Sequence, residues 1–172
     1  EAAGLLEQYS LANRRCGKNL VFGLLCDLPE EKQAEMAADL PAVQKAKTAV
    51  QVLNEKYGGG FVLLLRPRTY SAADNCYMGW ERKRGAILEL MRLLRAKNSG
   101  LRPAAGDETA LQGIHYVISL DADTRLNIGA AGELIAAMAH PLHVPRIEND
   151  RVVQGYGALA PRIGIQLQAA RA

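Results

Sequence analysis

Apolar and polar positions along the chain switch between a helical and a strand-like period, and each switch marks an element. Leu5, Leu6, Tyr9 and Leu11 within residues 2–13 suit a helix that fades near Asn13. A turn around Gly17 leads into the apolar run Leu20–Cys26, which predicts a strand ending at Asp27. Pro29-Glu30-Glu31 then suits the first turn of a helix. Apolar residues recur at helical spacing from Met36 through Val43, Ala46, Val50 and Leu53, with Pro41 expected to split the region into two helices. Gly58-Gly59-Gly60 ends it, and Phe61–Leu65 predicts a second strand.

Residues 66–80 carry no clear period and read as a long loop. A helix follows from Glu81, with Ile87, Leu88, Leu90, Met91 and Leu94 as its apolar residues, and residues 98–107 read as a flexible connection. Tyr116–Leu120 is a continuous apolar run of the kind a buried parallel strand shows. An alanine-rich helix over 130–139 stops before Pro141, and Arg151–Ala160 predicts a last strand. Helices and strands alternating in this way point to an α/β domain with a mostly parallel sheet flanked by helices.

Composition narrows the class. The 172 residues suit one domain, and 49% hydrophobic with 23% charged residues describes an ordinary globular segment. A formal charge of +3 with 5% aromatic residues argues against a nucleic-acid partner. Cys16, Cys26 and Cys76 are odd in number and far apart, which suits free thiols and gives no zinc signature. No stretch has the apolar length of a membrane span. The sequence opens without Met inside an expected helix and stops in an apolar, alanine-rich stretch, so we expect a fragment of a longer protein.

Candidate chemistry gathers at the expected strand ends. Asp121 and Asp123 follow the apolar run one residue apart, and a strand's alternation would aim both the same way. Ligands in open α/β sheets bind beyond the carboxyl ends of strands. Paired carboxylates repel unless a cation or proton lies between them, and their oxygens suit Mg²⁺ or Mn²⁺. The plainer alternative has one aspartate capping the next helix and the other solvated. Asp27, Arg66 and Arg68 fall at the other strand ends. In Glu81-Arg82-Lys83-Arg84-Gly85 three cations oppose the macrodipole of the helix they open, which fits an anion site for phosphates or a solvated basic turn. His140 reads as the end of its helix, Cys26 as a small buried hydrophobe and Tyr156 as packing.

These segments together resemble a known family. The series comprises Tyr9-x-Leu11-Ala12-Asn13, Phe22-Gly23-Leu24-Leu25-Cys26-Asp27 and Met78-Gly79-Trp80-Glu81-Arg82-Lys83-Arg84-Gly85. It continues in Tyr116–Thr124, Met138-Ala139-His140-Pro141-Leu142, Val152–Gly157 and Pro161-Arg162. In this order they resemble the glycosyltransferase domain of the cyclic β-1,2-glucan synthases. The resemblance implies a GT-A-like (Rossmann-like) fold, UDP-glucose as donor, a β-1,2-glucan acceptor, and Mg²⁺ or Mn²⁺ on Asp121 and Asp123. It implies that Asp27 faces the nucleoside, that Lys83 and Gly85 lie along the nucleotide with Arg84 beside them, and that Asp121 also contacts the nucleotide sugar. It further implies a parent protein integral to the bacterial inner membrane, with this domain on its cytoplasmic face.

The same resemblance sets expectations for what lies elsewhere. The family's first strand is expected before residue 1 and the catalytic base beyond residue 172, so residues 1–172 are expected to form one partial domain without transfer activity of its own. A missing first strand would leave a sheet edge open to pairing with another copy. Two other readings compete. A haloacid-dehalogenase-like phosphatase would use Asp121 as nucleophile, although Arg125 stands where that class has Thr or Val. A non-catalytic α/β segment would keep the motifs without using them.

Overall fold

The computed structural model describes residues 2–162 and Gly164, and the alanine-rich stretch at the end of the sequence lies outside the described residues. Helix α1 (Ala2–Ala12) runs into a short 3-10 segment (Arg14–Asn19) and then strand β1 (Phe22–Asp27). Helix α2 (Asp39–Tyr57) follows and returns to strand β2 (Phe61–Arg66). A small hairpin of β3 (Thr69–Ser71) and β4 (Cys76–Met78) leads to helix α3 (Arg82–Leu94) and strand β5 (Arg102–Ala105). After helix α4 (Ala130–Ala139) comes a second hairpin of β6 (Arg146–Glu148) and β7 (Arg151–Gln154).

The main sheet has three strands in the order β1-β2-β5. β1 and β2 are parallel, in register from Phe22 opposite Phe61 to Asp27 opposite Arg66, whereas β5 runs antiparallel to β2. β2 is buried along nearly its whole length, as its unbroken apolar sequence requires of a central strand. Phe61 and Leu63 join Leu6, Val50 and Leu53 in the core between the sheet and the helices α1 and α2. Asn54 closes the α2–β2 connection: its side-chain oxygen accepts from the Phe61 N–H at 2.9 Å and its amide donates to the Phe61 carbonyl at 2.8 Å.

Several expectations are corrected. The sheet is small and mixed, with one parallel pair, where a mostly parallel sheet was expected. Tyr116–Leu120 forms no strand, and Tyr116 and Val117 are exposed. An apolar run marks a segment that gains from burial, but it does not choose a partner, and both edges of β2 are already taken by β1 and β5. β5 itself arises in the expected flexible connection, and the long loop holds the β3–β4 hairpin, whose Tyr70 and Tyr77 rings meet across the strands at 5.3 Å.

Pro41 does not break α2. It lies in the first turn, where no intrahelical N–H bond is needed. No helix starts at Pro29. Instead Arg68 takes the carbonyls of Pro29 (2.5 Å) and Ala34 (3.3 Å), and Glu31 exchanges backbone bonds with Tyr77. The last expected strand is only β7, exposed throughout and turned back on β6 by Asn149 and Asp150 with φ of 48° and 59°.

Candidate functional site

Asp27 and Arg66 end β1 and β2 side by side, and their side chains meet. The Arg66 guanidinium donates through Nε to Asp27 Oδ1 at 2.7 Å and through Nη2 to Asp27 Oδ2 at 2.5 Å. It also donates to the carbonyls of Trp80 and Arg82, each at 2.7 Å. Arg66 is 3% exposed, so the cation at this strand end is buried and held by four hydrogen bonds. Arg68 is likewise consumed, bidentate on Asp39 at 2.6 and 2.9 Å. Those bonds hold the Asp39 carboxyl below its ordinary range.

Asp27 keeps part of its carboxylate open to a cleft of about 500 Å³ lined by Leu28, Pro29, Glu30, Met78, Gly79 and Arg82. Burial, with the neighbouring Asp27 charge, pushes the Cys26 thiol up, so this cysteine stays a neutral thiol as expected of a packing residue.

The basic run at the start of α3 does not present three free cations. Arg82 pairs with Glu30 at 2.5 Å, Lys83 with Asp121, and Arg84 with Glu81. All three cations are exposed, and such pairs exchange readily for another anion. Glu81 and Arg82 both hold left-handed φ values, 47° and 48°. Gly85 sits where a Cβ would collide with the Trp80 carbonyl and lie 2.6 Å from Arg66 Nη1. Its small size thus serves the close approach of α3 to this turn.

Asp121 and Asp123 lie in a turn closed by the Thr124 N–H to the Asp121 carbonyl at 3.0 Å, after an irregular segment rather than a strand. They line a second cleft of about 600 Å³ with Ala2, Leu5 and Ala122. Lys83 links this turn to the start of α3. Lys83, Arg84, Gly85 and Asp121 are therefore neighbours through one ion pair, whereas Asp27 joins them only by way of Arg66 and the 79–82 turn. Among the described residues no cluster of three His, Cys, Asp or Glu side chains is placed to hold a metal. The two aspartates are exposed and carry the hard oxygen donors that a divalent cation takes, although one Asp121 oxygen is engaged by Lys83.

Helix α1 supports the aspartate turn in a way the motifs alone do not reveal. Tyr9 Oη donates to the Thr124 carbonyl at 2.5 Å, and Arg125 donates to Gln8 Oε1 at 3.0 Å. Asn13, 2% exposed, accepts from the Ala131 N–H at 3.0 Å and donates to the Tyr9 carbonyl at 3.0 Å. The only sequence signal was the spacing of Tyr9 and Asn13, which places both on one helix face. His140 ends α4, as expected, and Tyr156 meets the His143 ring edge-on at 5.3 Å, in keeping with packing.

No protein-family model matches the chain. Over 164 residues, 92% of the chain, it is 37% identical to the cyclic β-(1,2)-glucan synthase NdvB of Rhizobium meliloti (strain 1021). It spans 6% of the length of that relative. None of the described helices is long and apolar enough to cross a membrane. The resemblance carried by the motifs is thereby shown: in sequence this chain is a relative of one short segment of the cyclic β-(1,2)-glucan synthases.

Proposed function

We propose that the chain forms part of the donor site of a UDP-glucose-dependent β-1,2-glucan synthase with a GT-A-like fold. The parent would be held in the bacterial inner membrane with this segment on the cytoplasmic face. The observation that carries the reading is the Lys83–Asp121 pair: it brings the basic helix start and the aspartate turn, 38 residues apart, to one place beside an open cleft. A cation near paired carboxylates suits a nucleoside diphosphate bound with a divalent ion.

In the proposed reaction an acceptor hydroxyl of the glucan attacks the anomeric carbon of the glucosyl group. The new C–O bond forms as the bond to the diphosphate breaks, and UDP leaves with the electron pair. Asp121 and Asp123 would hold Mg²⁺ or Mn²⁺, which would supply charge neutralisation for a departing diphosphate. Lys83 exchanges Asp121 for a phosphate oxygen and donates to it, and Arg84 adds positive charge at the same helix start. Asp27 accepts from the nucleoside. Gly85 lets α3 pack against the 79–82 turn, which sets the stretch along which the nucleotide would lie. No residue of this chain is assigned as the base that takes the hydroxyl proton.

The phosphatase reading needs a nucleophilic aspartate at a strand end, and Asp121 follows no strand among the described residues. Calorimetric titration with UDP and UDP-glucose, with and without Mn²⁺, tests the donor site. Binding that requires the metal and disappears in Asp121→Ala/Asp123→Ala is expected. Absence of such binding from both this chain and the full-length parent overturns it, as does undiminished glucan output from a parent carrying both substitutions.

A further inference from the structure

We infer that Arg66 is a positioning residue of the donor site, setting Asp27 and Lys83 at once without touching the nucleotide. The inference rests on the donor-site reading above and assigns a role to a residue that reading leaves out. Its basis is geometric. One guanidinium makes four hydrogen bonds: two to the Asp27 carboxylate and one each to the carbonyls of Trp80 and Arg82. The two carbonyls flank Glu81, and Glu81 and Arg82 hold left-handed backbone that a non-glycine residue adopts only when its surroundings impose it. Lys83 is the next residue, so the turn that Arg66 clamps decides where the Lys83 side chain starts.

The surroundings are shaped to the guanidinium. A Cβ at Gly79 would strike Arg66 Nη2 and lie 2.9 Å from Asp27 Oδ2, and a Cβ at Gly85 would lie 2.6 Å from Arg66 Nη1. The glycines on both sides thus leave room for a planar fork and little else. A lysine keeps the charge but has a single nitrogen in place of three, and it cannot span the carboxylate and both carbonyls. Burial also matters: at 3% exposure no water replaces a lost partner without rearrangement.

Trp80 is the one tryptophan in the sequence, and its own carbonyl is among the clamped groups, so its fluorescence anisotropy reports the turn directly. The test compares wild type, Arg66→Lys, Lys83→Ala and the double variant by Trp80 anisotropy and by calorimetric titration with UDP and Mn²⁺. In folded Arg66→Lys, Trp80 should become more mobile and UDP affinity should fall about tenfold. Lys83→Ala should then cost far less in the Arg66→Lys background than in wild type, because Lys83 is already misplaced.

Gly79→Ala provides a second route should Arg66→Lys not fold, since it displaces the guanidinium without deleting it, and it should give the same two signatures. Unchanged Trp80 anisotropy, or an equal Lys83→Ala loss in both backgrounds, overturns the positioning role and leaves Arg66 a packing residue. A freed Trp80 with no UDP binding by either the wild-type chain or the full-length parent supports the clamp and overturns the donor-site reading instead.

Discussion

Asn13 and Ala131, 118 residues apart in the chain, share a hydrogen bond in the interior: the Asn13 side-chain oxygen accepts from the Ala131 N–H at 3.0 Å. Helix α4 begins after Gly129, which has no side chain to cap it, so the cap comes from the end of α1. The Asn13 amide group is spent on the Tyr9 carbonyl, and Tyr9 in turn holds Thr124. The end of α1 therefore holds both ends of residues 124–131, the stretch that joins the Asp121/Asp123 turn to α4.

Asn13→Ala should lower stability by about 1–3 kcal/mol, because it removes a cap and leaves a buried N–H without a partner. Urea denaturation measures this. A loss below about 0.5 kcal/mol would mean that water or a shifted backbone replaces the cap.

Acid should destabilise the fold through a small set of carboxylates. Hydrogen bonds from Arg68 hold Asp39 low, the Gly100 N–H first and then Ser99 and Arg92 hold Glu89 low, and Lys56 with Tyr57 does so for Glu7. A carboxyl whose folded pKa is depressed contributes stability that is complete above its unfolded value, near 4, and is lost as pH falls through the folded value. Melting temperature should thus stay level from pH 7 to about pH 5 and fall below about pH 4. Asp39→Asn should flatten that fall. An unchanged acid limb in the variant would show that the Arg68 pair contributes nothing to it.

Gly85→Ala sets two effects against each other. Alanine gains about 1 kcal/mol of helix propensity, but its Cβ would occupy the place of the Trp80 carbonyl. Sterics should win, with a net loss of about 1–3 kcal/mol in chemical denaturation. A stabilised variant would mean that the 79–82 turn yields at little cost.

Lys83→Ala should separate stability from binding. The Lys83 and Asp121 side chains are 57% and 58% exposed, so their ion pair contributes less than about 1 kcal/mol to the fold. UDP affinity should nevertheless fall, as read by titration calorimetry. Equal affinity in variant and wild type would remove Lys83 from the site.

Much of this protein was decided locally. The apolar runs of β1 and β2 and the helical spacing of α1, α2, α3 and α4 follow from periodicity alone, because each element must bury one face or both. The Asp121/Asp123 pair and the basic run at the start of α3 were likewise legible as candidate chemistry, and the order of the whole motif series along the chain carried the family resemblance. Tertiary structure decided the rest through pairing and partners. It placed β5 against β2 and left Tyr116–Leu120 without a ladder, since an apolar run registers a need for burial and not the edge that meets it. It also buried the polar side chains of Arg66, Arg68 and Asn13 and gave each of them hydrogen-bond partners. Their partners lie 29 or more residues away at the nearest side chain, or are backbone carbonyls and N–H groups common to every residue, so no local pattern encodes them.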